Sequence, residues 1–360
     1  MATFGEGGEV DFACIVLCRT SFSCLFVCPH RRTFVCFSTT ACQIKTKFHQ
    51  RSDYSCRIVD MVCRFYLGTQ QTAESLWTVE PRGRLGNLMG QYATLLALAR
   101  LNGRPAAMMQ QMATPLRAVF EVTMPILDSD KAKQQPWHRV ILNDWMEEGY
   151  RTIPWKHVIL QGYPCSWTFY HDMRSDIMRE FRFTSSLRKE ASTILTELAH
   201  PRVSTTFVGV HIRRGDYLKV MPDNWHGVVA DSGYLSAAMD HFRHHYSDAV
   251  FVVASDDMEW CRHNIDASQG DVNFVGDGEQ TSPGRDLAIL AHCNHTIMTI
   301  GTFGYWAAYL AGGHTIYLAN FTLPNSPFLQ IFRYSTAFLP RWQGIAANLS
   351  HQERTAHPYI

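Results

Sequence analysis

Between about residues 205 and 320 the chain alternates short apolar runs with amphipathic stretches. Phe207-Val208-Gly209-Val210-His211-Ile212 reads as a buried strand. Asp231 or Ser232 can cap a helix whose buried stripe is Leu235, Ala238, Met239 and Phe242. An apolar strand over residues 249–254 ends at Ser255-Asp256-Asp257, and a short strand is predicted at 272–275. A helix over 285–293, a strand over 296–300, the turn Gly301-Thr302-Phe303-Gly304, a helix to Leu310 and a last strand over 315–319 complete the pattern. Such alternation calls for a parallel sheet covered by helices on both faces, a Rossmann-like lobe.

Upstream the pattern is weaker. Trp77-Thr78-Val79 reads as a short strand leading into Gly83-Arg84-Leu85-Gly86-Asn87. A helix is predicted over 91–101, with Leu88, Tyr92, Leu95, Leu96 and Ala99 on one face and Gly103 at its C′ position. Residues 105–183 are rich in Trp, Pro and Met without clear periodicity. A helix over 185–198 and a linker near 200–204 follow. The fold class is thus α/β and two-lobed. The expected boundaries are a leader or stem at 1–75, an N-terminal lobe at 76–200, a C-terminal lobe at 201–350 and a tail at 351–360.

The leader differs in composition: it holds eight of the 11 cysteines. Cys14-x3-Cys18 and Cys24-x3-Cys28 have a zinc-like spacing, but irregular, apolar surroundings favour an unstructured or membrane-associated segment. Residues 12–28 approach the length of a membrane helix, interrupted by Arg19 and several Ser and Thr. Acidic Glu6, Glu9 and Asp11 do not suit a signal peptide. A net charge of +1 argues against a nucleic-acid partner, and no G-x-G-x-x-G loop supports a dehydrogenase.

Arg213 and Arg214 stand where the first C-terminal strand ends, before Gly215-Asp216. Side chains at strand carboxyl ends face the ligand crevice of α/β sheets, and guanidinium forks suit phosphate. The Gly301-Thr302-Phe303-Gly304 turn would present a helix N-terminus to the same anion. Asp256 and Asp257 end another strand, where a nucleotide's ribose or base could use them, and Asp286 stands at a helix start. Asp128-x-Asp130 is a weak metal triplet outside this lobe. His241, His244 and His245 read as a solvated helix face. Sequons at Asn294, Asn320 and Asn348 lean toward a lumenal, glycosylated chain.

The run Val208-Gly209-Val210-His211-Ile212-Arg213-Arg214-Gly215-Asp216-Tyr217 resembles the H-x-R-R-x-D motif of α1,2-, α1,6- and O-fucosyltransferases. Residues 90–99, Pro164-Cys165-Ser166-Trp167-Thr168-Phe169, Trp260-Cys261 and residues 293–304 narrow the likeness to vertebrate galactoside α1,2-fucosyltransferases, glycosyltransferase family 11, over about 76–350. The resemblance implies a GT-B-like fold with GDP-β-L-fucose in the C-terminal lobe and the acceptor at the N-terminal one. It further implies inverting transfer of fucose, without an obligatory metal or other cofactor, to the 2-hydroxyl of terminal β-galactose on glycoproteins and glycolipids. A Golgi membrane location with a lumenal catalytic domain is implied too, although the family's anchor is not recognisable in residues 1–75. Leu88 stands for a usual Gln, Asp256-Asp257 for Asn-Gly, His314 for Asp and Arg285 for Lys.

On this reading His211, Arg213, Arg214, Ser255, Asp256, Asp286, Gly301, Thr302 and Phe303 hold the donor, and Arg213 matters most. One arginine can instead brace the loop through Asp216. Gly83, Arg84, Gly86 and Asn87 form a loop that could close over the cleft. Glu147, Asp144, Asp216 and His211 are candidate bases, and Trp145, Trp167 and Trp225 candidate sugar platforms. The rivals are a catalytically silent GDP- or glycan-binding protein and a nucleotide-sugar oxidoreductase.

Overall fold

The computed structural model describes three short leader strands and residues 75–199, 204–276 and 282–347. The chain divides into two compact units, Met1–Gln70 and Gln71–Ile360. In the first, β1 (Ile15–Thr20), β2 (Ser23–Val27) and β3 (Phe34–Cys36) form an antiparallel meander. Their apolar runs are too short to carry a visible period. Cys14 and Cys28, which a zinc site would need, lie outside the described residues.

The second unit contains two parallel sheets. The first half runs β4 (Leu76–Val79), α1 (Leu85–Leu101), α2 (Gln110–Val119), α3 (Ser129–Gln134), β5 (His138–Ile141), β6 (His157–Gln161), α4 (Arg174–Glu180) and α5 (Ser185–Ala199). Its strands lie in the order β4-β6-β5. Central β6 buries Val158, Ile159 and Leu160, whereas edge strand β5 is largely exposed. Neither was legible in sequence, because strands of four and five residues among Trp and Pro give no measurable alternation.

Helix α1 begins at Leu85, six residues earlier than expected. The expected mobile loop is therefore a pinned turn. Gly83 takes φ +78°, open to glycine but strained for other residues. Buried Gln91 staples the turn: its amide oxygen accepts the Arg82 N–H at 3.1 Å, and its amide nitrogen donates to the Arg82 carbonyl at 3.1 Å.

The second half runs β7 (Thr206–Ile212), α6 (Tyr217–Trp225), α7 (Ser232–His245), β8 (Ala249–Ser255), α8 (Met258–Asn264), β9 (Val272–Phe274), α9 (Pro283–Ala291), β10 (His295–Met298), α10 (Thr302–Ala311), β11 (Thr315–Leu318), α11 (Tyr334–Ala337) and β12 (Gln343–Ile345). The strand expected to be last is followed by β12. Asp231 caps α7 as expected, accepting the Tyr234 N–H at 2.7 Å, and the predicted stripe is buried. Helix α6 was missed because Pro222 sits inside it.

All pairings in this six-stranded sheet are parallel, in the order β12-β11-β10-β7-β8-β9. Counted from β7, that is the doubly wound order 3-2-1-4-5-6. The winding reverses between β7 and β10, and a crevice opens beyond their carboxyl ends for that reason. Helix α9 packs on α5 and α10 on α1, so the two sheets share one compact unit with a cleft between them. This is the two-lobed α/β layout expected from the sequence.

Candidate active site

A cleft of about 430 Å³ lies at that switch point. The end of β7 supplies His211, Arg213, Asp216 and Tyr217; the end of β8 supplies Ala254, Ser255 and Asp256. Pro283 and Asp286 come from the start of α9, and Ile300, Gly301, Thr302 and Phe303 from the β10–α10 turn. Gly83 to Asn87 close the opposite wall.

Two helix N-termini meet here. Gly301, at φ +95°, turns the chain from β10 into α10. Thr302 Oγ1 donates to Asn87 Oδ1 at 2.8 Å, joining the starts of α10 and α1. A Cβ on Gly86 would stand 2.7 Å from both the Phe303 nitrogen and Thr302 Oγ1, so glycine is what lets the two helices approach. Free N–H groups and aligned peptide dipoles from both then favour an anion in the cleft.

Arg213 is fixed from three sides. Its backbone N–H donates to Thr299 Oγ1 at 2.9 Å, which ties the end of β7 to the end of β10. Its guanidinium donates to Asp256 at 2.5 Å and to Asp216, and it lies 5.0 Å from the Tyr217 ring centroid. Asp216 also approaches Arg84, at 4.0 Å. Thr299 and Tyr217 carry no sequence signal that separates them from ordinary core residues.

The paired-arginine expectation needs correcting. Arg214 does not line the cleft. Its guanidinium is stacked 3.8 Å over Trp260, donates to Asp257 at 3.3 Å and to the Ala230 carbonyl at 3.4 Å. Adjacent residues leaving a strand point to opposite sides, so one arginine faces the ligand and the other braces the turn. The bracing partner is Asp257, while Asp216 belongs to Arg213. Arg285 is likewise outside the lining, bonded to Glu190, the Val275 carbonyl and the cleft-lining Asp286.

The candidate bases separate in the same way. Glu147 is exposed, hydrogen-bonded to Asn143 Nδ2 at 2.6 Å, and outside the cleft lining. His211 lines the cleft, but burial and then the Arg213 charge push its pKa down to about 3, so it stays neutral and weakly basic. Its Nδ1 has no partner and lies against Gly304. Asp144 lies outside the lining; burial pushes its pKa up to about 7, against hydrogen bonds from the Cys165 and Ser166 N–H groups. Asp216 is the candidate that both lines the cleft and reaches solvent, with 49% of its side chain exposed.

The three candidate tryptophan platforms are packing residues. Trp145 is buried beneath Arg333, Trp167 donates to the Phe338 carbonyl at 3.0 Å, and Trp225 stacks on Phe328 at 4.2 Å. His241 stacks on His245 at 4.3 Å and is not simply solvated. Among the described residues no group of three or more His, Cys, Asp or Glu is placed to hold a metal, and Asp128 instead accepts the Asp130 N–H at 2.9 Å. No described helix is long and apolar enough to cross a membrane. Asn294 is exposed, with its amide oxygen accepting the Phe207 N–H. Asn320 is tied to Ala347 by two hydrogen bonds, and its sequon residues Phe321 and Thr322 are buried. Asn348 lies outside the described residues.

A sequence model of glycosyl transferase family 11 matches residues 43–346. The chain belongs to that family. Members similar to it include a galactoside alpha-(1,2)-fucosyltransferase 2 of Hylobates lar, 59% identical over 276 residues that cover 76% of this chain and 80% of the relative. The galactoside 2-alpha-L-fucosyltransferase Sec1 of Mus musculus is 56% identical over 277 residues, 77% of this chain and 75% of its own. Among solved structures, POFUT1 in complex with GDP-fucose aligns with a TM-score of 0.47 at 11% identity, covering 69% of this chain and 98% of that one. In this family 11 glycosyltransferase the H-x-R-R-x-D run, residues 211–216, occupies the switch point of the six-stranded sheet.

Proposed function

We propose that this enzyme transfers L-fucose from GDP-β-L-fucose to the 2-hydroxyl of a terminal β-galactose by a single inverting displacement. The observation that carries the donor assignment is the meeting of Arg213 with two helix starts at the switch point, an arrangement suited to a diphosphate. Negative charge grows on the departing GDP as the fucose bond breaks. A fixed guanidinium and oriented N–H groups stabilise that charge most in the transition state, which is where it accelerates the reaction. Asp286 and Ser255, which also line the cleft, serve the nucleoside portion in this reading. The galactoside acceptor follows from the named activity of the relatives.

In this reading protein cations do the work that a divalent metal does elsewhere, and the reaction runs on the membrane of the Golgi lumen. The test is incubation of the full chain with GDP-fucose and lactose in excess chelator. The expected product is 2′-fucosyllactose at an unchanged rate. Strict metal dependence overturns the arginine mechanism, and GDP binding without transfer supports a silent binding protein instead. A fluorescent fusion that fails to reach the Golgi removes the proposed location.

A further inference from the structure

Arg213 is paired with two carboxylates. Its guanidinium, 17% exposed, bonds Asp256 through one nitrogen and Asp216 through the other. The two carboxylates are not equivalent. Asp256 is 7% exposed and is held a second time, accepting the Arg214 N–H at 2.8 Å. Asp216 is half exposed, opens α6 without capping it, and stands 4.0 Å from Arg84 on the opposite wall. An arriving diphosphate therefore faces one cation with two anions upon it. It gains a charge-assisted fork with Arg213 only where a carboxylate yields, and Asp216 is the one free to yield.

Resting on the donor reading above, we propose that Asp216 is a carboxylate exchanged during the cycle. The donor's diphosphate displaces it from Arg213, and it moves toward Arg84 to become the base that receives the acceptor proton. In the transfer step the galactose 2-hydroxyl oxygen bonds to C1 of fucose while its proton passes to the Asp216 carboxylate. The C1–O bond to the β-phosphate breaks, and its electron pair leaves with GDP, held by Arg213. Asp216 then gives the proton to water and returns to Arg213 as GDP departs. One residue thus opposes donor binding and serves turnover, and the acceptor's proton finds a base only after the donor is seated.

The test measures GDP affinity by calorimetry and fucose transfer to lactose, in the full chain and its D216N variant. Asn keeps the size of the side chain at a half-exposed position, and an unchanged melting temperature verifies the fold. The two readouts move in opposite directions. GDP binding tightens by about fivefold, as expected for removal of one partly exposed competing ion pair, while kcat falls by roughly 10²-fold or more with the loss of a base. A structural role alone would weaken both. Equal or weaker GDP binding in D216N overturns the exchange, and kcat within tenfold of wild type overturns the base assignment. Failure of the wild-type chain to bind GDP at all overturns the donor reading itself, and the exchange with it.

Discussion

Asp256 in one half of the folded unit and Asp144 in the other are both withdrawn from solvent, in different company. Around the six-stranded sheet Asp256 and Asp216 share Arg213, Asp257 has Arg214, and Asp286 has Arg285. In the three-stranded half Asp144 is buried with backbone N–H donors, and no cation lies within ion-pair distance of it among the described residues. Its pKa is pushed up to about 7 by desolvation, which backbone hydrogen bonds only partly offset. The six-stranded half sets its carboxylates against guanidinium groups. The three-stranded half contains a group that titrates near neutrality and costs stability whenever it ionises. The company a carboxylate keeps, cation or backbone donor, sets how firmly it holds its charge.

The sharpest way to break this contrast is to separate the two arginines. Arg213→Ala should lower fucose transfer by the folded fraction by about 10²–10³, equivalent to roughly 3–4 kcal/mol of transition-state stabilisation, and should also lower the melting temperature, because Asp256 loses its cation. Arg214→Ala should act on stability alone: a loss of about 1–2 kcal/mol, from its ion pair and its contact with Trp260, and less than a tenfold loss of transfer by the folded fraction. Equal effects on transfer would restore the paired-cation picture.

Asp144→Asn probes the other half. A buried acid whose folded pKa lies above its unfolded value near 4 binds more protons folded than unfolded. Stability therefore falls as pH rises from about 4 to about 7 and is level above that. The variant should be about 2–3 kcal/mol more stable than the parent at pH 8, with the gain vanishing by pH 4, as read by denaturant melts. Loss of transfer with the fold intact would instead assign Asp144 a chemical role and erase the contrast. The smallest expected effect is at the junction of the halves. Gly86→Ala must push the starts of α1 and α10 apart, at a cost of about 1–2 kcal/mol. GDP affinity should weaken with it; unchanged affinity would mean that the two helix starts do not share the anion.

Much of the donor side was readable from the chain. A run such as Val208 to Ile212 followed by Arg213 reads as a buried strand delivering a cation to its end, because it is short, apolar and β-branched. The Asp231 cap, the Leu235 to Phe242 stripe and the Gly301 turn were likewise local, each set by the side chain or missing side chain at its own position. Resemblance in motif, not pattern, supplied the reaction. Three-dimensional packing alone decided the rest. Alternation at a strand end puts Arg213 and Arg214 on opposite sides but does not say what each meets; the aromatic face of Trp260 and the carboxylate of Asp257 claimed one, and Thr299 with two carboxylates fixed the other. Glu147 is exposed and bonded to Asn143 outside the cleft lining, and the turn at Gly83 is pinned because Gln91, nine residues on, bonds both the N–H and the carbonyl of Arg82. Sequence determines what a residue can do over the few positions it covers, whereas its partner across the fold, tens of residues away, sets whether it is presented, neutralised or buried.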